Sequence, residues 1–122
     1  MVDPDVLIDY LRGRAEAVAY LDSLSEPLCL SAITVAELYA GVREGEERAA
    51  LDLFLQAFEI VDVDQQAAIQ GGLFHRDYAK SHNAGLADAL IAATAIRREA
   101  TLVTLNDKHF SMLAGVVVPY EK

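Results

Sequence analysis

Four places in this chain put side-chain oxygens where an apolar segment gives way to a helix or turn. They are Asp3, Glu37, Asp88 and the pair Asn106-Asp107. Carboxylate and amide oxygens are hard ligands, suited to Mg²⁺ or Mn²⁺. A divalent ion so held can deprotonate an attacking water and stabilise a leaving oxygen, which is enough to hydrolyse a phosphodiester without a covalent intermediate. Asp88 carries the strongest signal. In Leu86-Ala87-Asp88-Ala89-Leu90-Ile91-Ala92-Ala93 it is the only ionisable group. A helix N-terminus would stabilise it by about 0.3–1 kcal/mol, which is small beside the several kcal/mol for desolvating an unpaired carboxylate. Asp88 therefore needs a surface, a partner or a cation.

Each of the others also has an ordinary reading. Asp3 suits the N-cap of a helix whose first residue is Pro4. Glu37 fits a capping box with Thr34 (Thr34-x-x-Glu37). Asn106-Asp107 fits a turn and cap. His75, His82 and His109 show no metal-ligand spacing and read as surface residues. Arg76, Lys80, Arg97 and Arg98 are candidate phosphate contacts, though solvated helix faces explain them equally well. Gly41 and Gly71-Gly72 read as turn or close-packing positions, since no Gly-x-Gly-x-x-Gly or Walker pattern is present. Tyr39, Val42, Phe54 and Phe58 are core candidates before they are a dimer face.

The elements that must position these groups are legible from periodicity and punctuation. A very short first strand precedes a helix over Pro4–Leu11, ended by Gly13; a second helix covers Ala15–Leu24. A buried strand is expected over Pro27–Ser31, then helices over Thr34–Val42 and Glu46–Phe58, the latter with Leu51, Phe54, Leu55 and Phe58 at helical spacing. Glu59–Val63 is a third strand, Asp64–Ser81 a long helix, His82–Gly85 a loop and Leu86–Arg97 a nearly all-apolar helix. Thr101–Leu105 is a fourth strand, Lys108–Leu113 a short helix and Val116–Val118 a last strand. Apolar strands without alternation, separated by helices, imply an α/β fold: a three-layer α/β/α sandwich around a central parallel sheet of four to five strands. In such sheets sites form beyond the carboxyl ends of the strands, and the four acidic spots fall there.

Composition bounds the answer. At 122 residues one domain spanning 1–122 is expected, and 53% hydrophobic residues argue against disorder. The lone Cys29 permits no internal disulfide, which suits a reducing cytoplasm, and it reads as a small buried hydrophobe. Asp3 and Asp5 stand where a basic leader would be, and no apolar run approaches the roughly 18 residues of a membrane span. Nineteen acids against ten bases give a net charge of −9. That disfavours passive adhesion to nucleic acid, which needs Lys and Arg opposite phosphates. An enzyme whose own carboxylates bind cations is less affected, because the metal inverts the local field.

At these residues the sequence resembles the PIN-domain ribonucleases, and within them the VapC-type toxins of toxin–antitoxin pairs. The stretches concerned are 2–13 (VDPDVLIDYLRG), 31–41 (SAITVAELYAG), Leu86 to Ala95 and Thr101 to Phe110, in the family's order. The resemblance implies a Mg²⁺- or Mn²⁺-dependent endoribonuclease in which Asp3, Glu37 and Asp88 are the metal-binding acids. Asn106 falls on the fourth position, two residues after Thr104, with Asp107 adjacent and able to share its duty. Thr104, Arg76 and Lys80 are the expected substrate contacts. The resemblance also implies an RNA substrate such as tRNA or ribosomal RNA, a homodimer, and a VapB-type antitoxin that blocks the acidic site. One departure is Pro4, where the family usually carries Thr or Ser after the first acid.

Three other readings compete. A receiver-type phosphoacceptor domain would use Asp3 and Asp5 with Asp62, but wants a Lys before Pro119, where Val118 stands. A phosphatase built on Asp3-x-Asp5 would need a longer chain with a cap. A catalytically silent PIN-like domain that only binds its antitoxin is the nearest alternative, raised by Pro4 and Asn106.

Overall fold

The computed structural model describes residues 1–82 and 84–121, so the expected loop at 82–85 lies partly outside the described residues. The strands are short and every pairing among them is parallel. β1 (Cys29–Ser31) pairs with β2 (Glu59–Val61) in the register Cys29 to Glu59, and β3 (Leu102–Val103) pairs with β4 (Val116–Val117). Val2 joins the two pairs: its N–H donates to the Cys29 carbonyl at 3.1 Å, and it forms a parallel bridge with Val103. The Asp3 N–H extends that bridge to the Val103 carbonyl at 2.9 Å. The strands expected over Glu59–Val63 and Thr101–Leu105 are thus trimmed to their centres, although Thr104 still donates its N–H to the Val117 carbonyl at 3.0 Å.

Parallel neighbours require long crossovers, which helices supply. Those helices are α1 (Pro4–Leu11), α2 (Ala15–Ser23), α3 (Ala32–Ala40), α4 (Glu46–Leu55), α5 (Gln65–His82) and α6 (Leu86–Arg98). α1 begins on Pro4 and is followed by Gly13 at φ +78°, a backbone setting that glycine adopts at no steric cost. α3 corrects the capping-box reading. It starts at Ala32, and its cap is Ser31, whose side chain accepts the Ile33 N–H at 3.1 Å. Thr34 therefore lies inside the helix with its hydroxyl buried, and Glu37 is released from any capping duty. The helix expected over Lys108–Leu113 is a 3-10 turn over Asp107–Phe110, anchored by the buried Phe110 ring.

Two apolar clusters hold these parts. Val6 and Leu7 of α1 pack with Val2, Leu30, Leu38 and Leu51. Tyr39, Val42, Phe54 and Phe58 lean on that cluster as partly buried side chains, with Phe54 stacked on Tyr10 at 5.4 Å between ring centres. Their role is core packing. Ile91, Ala92 and Ala95 of α6 form the second cluster with Met1, Leu102 and Phe110, and the half-buried Cys29 packs against it. α5 lies against α6 so closely that a Cβ on Gly71 would sit 2.6 Å from Leu90 Cδ2 and 3.1 Å from its Cα. Among the described residues, no helix is long and apolar enough to cross a membrane.

Candidate functional site

Asp3 leaves the Val2 bridge and occupies the N-cap position of α1, yet its side chain makes no capping hydrogen bond. Its Oδ2 instead accepts the Thr104 hydroxyl at 2.9 Å, and its Oδ1 is buried without a hydrogen-bond partner. The residue is only 5% exposed. Burial, followed by the nearby Asp5 charge, pushes its pKa from the ordinary 3.8 to about 8; the Thr104 hydrogen bond opposes the rise, and Asp88 and Glu37 add to it. Like charges converge on this carboxyl group from three other places in the chain.

Asp5, in the first turn of α1, ties the helix to the segment after β3. Its Oδ2 accepts the Leu105 N–H at 3.0 Å and the Asn106 side-chain amide at 3.3 Å, and lies 3.4 Å from the Thr104 hydroxyl. Its Oδ1 accepts the Val6 N–H at 2.7 Å. Thr104 carries a single hydroxyl proton, so the shorter contact to Asp3 is the better donor bond, while its oxygen accepts the Asn106 N–H at 3.1 Å.

Glu37, midway along α3, has its pKa raised by burial first and then by Asp88 and Asp5. Asp88 sits in the first turn of α6, half-buried, with its Oδ2 3.2 Å from His109 Nδ1. The structure thus brings Asp3, Glu37, Asp88, Thr104 and Asn106 to one end of the strands, as the sequence led one to expect. It does not bring all the others. Asp107 opens the exposed 3-10 turn and shows no hydrogen bond or ion pair to the cluster among the described residues. Arg76 is exposed and paired with Asp77 at 2.8 Å. Lys80 is exposed near the end of α5, a helix fixed to the approach to α6 where His75 Nδ1 lies 3.1 Å from the Ala84 carbonyl. Asp62 lies beyond β2 beside a separate small pocket of about 150 Å³ lined also by Asp64, Arg97 and Arg98.

Two members were missed by sequence reasoning. Asp5 was read as an argument against a basic leader and as part of a rival nucleophile pair. Its position in the first turn of α1, two residues from Asp3, was the available signal. His109 meets Asp88 only through the fold, and no spacing announces it.

A divalent cation fits the donor set: every candidate ligand is a hard oxygen, and Asp3 Oδ1 is a buried oxygen with no partner. Among the described residues, no three His, Cys, Asp or Glu side chains stand in a ready-made metal-holding arrangement. The acids are close enough to raise one another's pKa but have not closed on a common point. Alongside the cluster, α1, α3 and α4 frame an open groove of about 550 Å³ lined by Ile8, Leu11, Leu38, Val42 and Leu51, with Glu37 on its wall and Arg12 and Arg43 also lining it.

The family model described as the PIN domain matches residues 1–116. The chain is 40% identical to Ribonuclease VapC10 of Mycobacterium tuberculosis over 98% of its own length and 92% of that protein. It is 30% identical to the tRNA(fMet)-specific endonuclease VapC of Salmonella typhimurium over 95% of its length and 92% of that protein. A solved toxin–antitoxin complex from Klebsiella pneumoniae contains a chain that superposes with a TM-score of 0.85 at 30% identity, covering 99% of this chain and 98% of that one.

Proposed function

The chain belongs to the PIN-domain family, among its VapC-type members, and on that footing we propose that it is a metal-dependent endoribonuclease toxin. It hydrolyses RNA phosphodiester bonds at the acidic cluster and is neutralised by a VapB-type antitoxin. The observation that carries this reading is the buried Asp3 carboxyl, with an orphaned oxygen and a pKa pushed up by burial and by Asp5, Asp88 and Glu37. Such crowding costs stability and is relieved by a cation.

Asp3, Glu37 and Asp88 would hold Mg²⁺ or Mn²⁺, which when bound supplies an activated water and stabilisation of the developing phosphate charge. The chain's own groups do the rest. Thr104 orients Asp3, His109 holds Asp88 in place, and Asp5 locks α1 to Leu105 and Asn106. Lys80 and Arg76 on α5 are the proposed phosphate contacts. The nuclease named for tRNA(fMet) among the relatives favours a structured RNA such as tRNA or ribosomal RNA. The groove beside Glu37 suits an apolar segment of the antitoxin, with Arg12 on its wall to meet an acidic side chain and Arg43 already paired with Glu47. A homodimer remains our expectation. So do the three-layer α/β/α arrangement, which the parallel pairs and intervening helices support, and a cytoplasmic location.

The receiver reading falls with the family assignment, and Asp62 stands beside a separate pocket. A silent, antitoxin-binding domain is the competing reading, favoured by the lack of a ready-made metal trio among the described residues. Purified protein incubated with total RNA, with Mg²⁺ or Mn²⁺ and with or without chelator, separates the two. Cleavage that the chelator abolishes is the expected result. Intact RNA under both conditions would establish the silent reading instead.

A further inference from the structure

We propose that Tyr120 is a positioning residue for the acidic cluster, acting through Asp9 and Arg14 to pin α1 and so hold Asp5 on the segment after β3. This rests on reading that cluster as the reactive centre.

The chain leaves β4 at Val117 and passes back over α1, where the Tyr120 hydroxyl donates to Asp9 Oδ2 at 2.8 Å. Asp9 is 5% exposed and lies four residues after Asp5, one helical turn further along the same face of α1. Arg14 approaches the same oxygen, its Nε in ion-pair range at 3.9 Å from Oδ2 without a hydrogen bond, and its guanidinium lies 5.5 Å from the centre of the Tyr120 ring. The Arg14 N–H also donates to the Asp9 carbonyl at 2.9 Å, closing the turn at the end of α1. The phenol, the carboxylate and the guanidinium thus form one clasp between the last residues of the chain and its first helix.

α1 needs such an anchor. It is an eight-residue helix with no side-chain cap at its N-terminus, because Asp3 gives its carboxylate to Thr104. The same end carries Asp3 and Asp5, whose charges oppose each other. Its far end has no basic residue in the last turn to steady it. The clasp supplies that restraint one turn below Asp5. Burial and the Asp9 carboxylate hold the Tyr120 phenol protonated well above neutral pH, so it remains a donor throughout the working range.

The test is Tyr120→Phe, which keeps the ring over Arg14 and removes only the hydroxyl. Amide hydrogen exchange is read at Leu105 and Val6, both held by the Asp5 carboxylate, and at Thr104, whose N–H is held by β4. Exchange at Leu105 and Val6 should quicken several-fold while Thr104 stays protected. In the RNA assay kcat should fall several-fold with KM little changed. Asp9→Asn, which retains an acceptor for the hydroxyl, should lie between wild type and Tyr120→Phe in both readouts. Unchanged exchange at Leu105, or equal quickening at all three amides, would overturn the proposal. If the wild-type protein leaves RNA intact, the nuclease reading fails while the exchange data still decide the clasp.

Discussion

Along α4 and at the end of α6, acidic side chains alternate with arginines. Arg43 meets Glu47 at 3.2 Å, Arg48 bridges Glu44 and Asp52, and Arg98 grips both carboxylate oxygens of Glu59 at 2.5 and 2.7 Å. Beyond the strand ends the alternation stops. Among the described residues, no Arg or Lys forms an ion pair with Asp3, Glu37 or Asp88, and the nearest base is His109 beside Asp88. The two regions respond to their charge in opposite ways. Arg43 pulls the Glu47 pKa down, whereas burial and like charges push those of Asp3 and Glu37 up. The cluster contributes four of the nineteen acids, so much of the net charge of −9 lies elsewhere on the surface, but only at the strand ends are the acids both buried and crowded. Crowded, buried carboxylates of this kind are concentrated at functional sites.

The contrast can be broken first at Asp88. Asp88→Asn should cost RNA cleavage on the order of 100-fold or more, since even outer partners of metal ligands cost up to that much. Its melting temperature should stay level or rise as repulsion on Asp3 falls, which a paired assay and thermal melt would check. Next, saturating Mg²⁺ or Mn²⁺ should stabilise the protein by about 2–3 kcal/mol when the free ion exceeds its dissociation constant about a hundredfold. The shift should shrink in Asp3→Ala; equal shifts would remove Asp3 from the site.

The third test is pH. Asp3 titrates near 8 when folded against an ordinary 3.8, so between these values the folded chain keeps a proton that the unfolded chain releases. Cation-free protein should then lose stability as pH rises through that window, by on the order of 1 kcal/mol per pH unit. Asp3→Asn should flatten the profile, and chelator-treated melts at pH 6 and 7 are sufficient to see it. The smallest effect belongs to the compensated region. Arg98→Ala should cost about 0.2–1 kcal/mol, as exposed pairs do, with cleavage unchanged.

The sequence was most readable where chemistry is local. Pro4 and Gly13 delimited α1 to the residue, and the lone acid in the apolar run marked Asp88. It was less readable where two local rules compete. Thr34-x-x-Glu37 satisfies the capping-box pattern, but Ser31 stands at the end of β1 with its own oxygen free to cap, and it takes the position. Asp3 likewise looked like a cap and holds the cap position, while its carboxylate answers to Thr104, 101 residues away. Strand lengths were overread because the apolar character continues past the residues that pair, as at Leu105 beyond β3. Which of Asn106 and Asp107 faces inward depends on how the 3-10 turn starts, a matter of a single backbone rotation that composition does not encode.

The fit of Gly71 against Leu90 has a consequence for anyone mapping this protein by mutagenesis. An alanine there meets backbone as well as side chain, so it acts as a wedge that must drive α5 and α6 apart. α6 carries Asp88 two residues before the point of contact. A methyl group at that helix contact would thus disturb the acidic cluster through α6, and a screen scored on RNA cleavage alone would file Gly71 with the carboxylates.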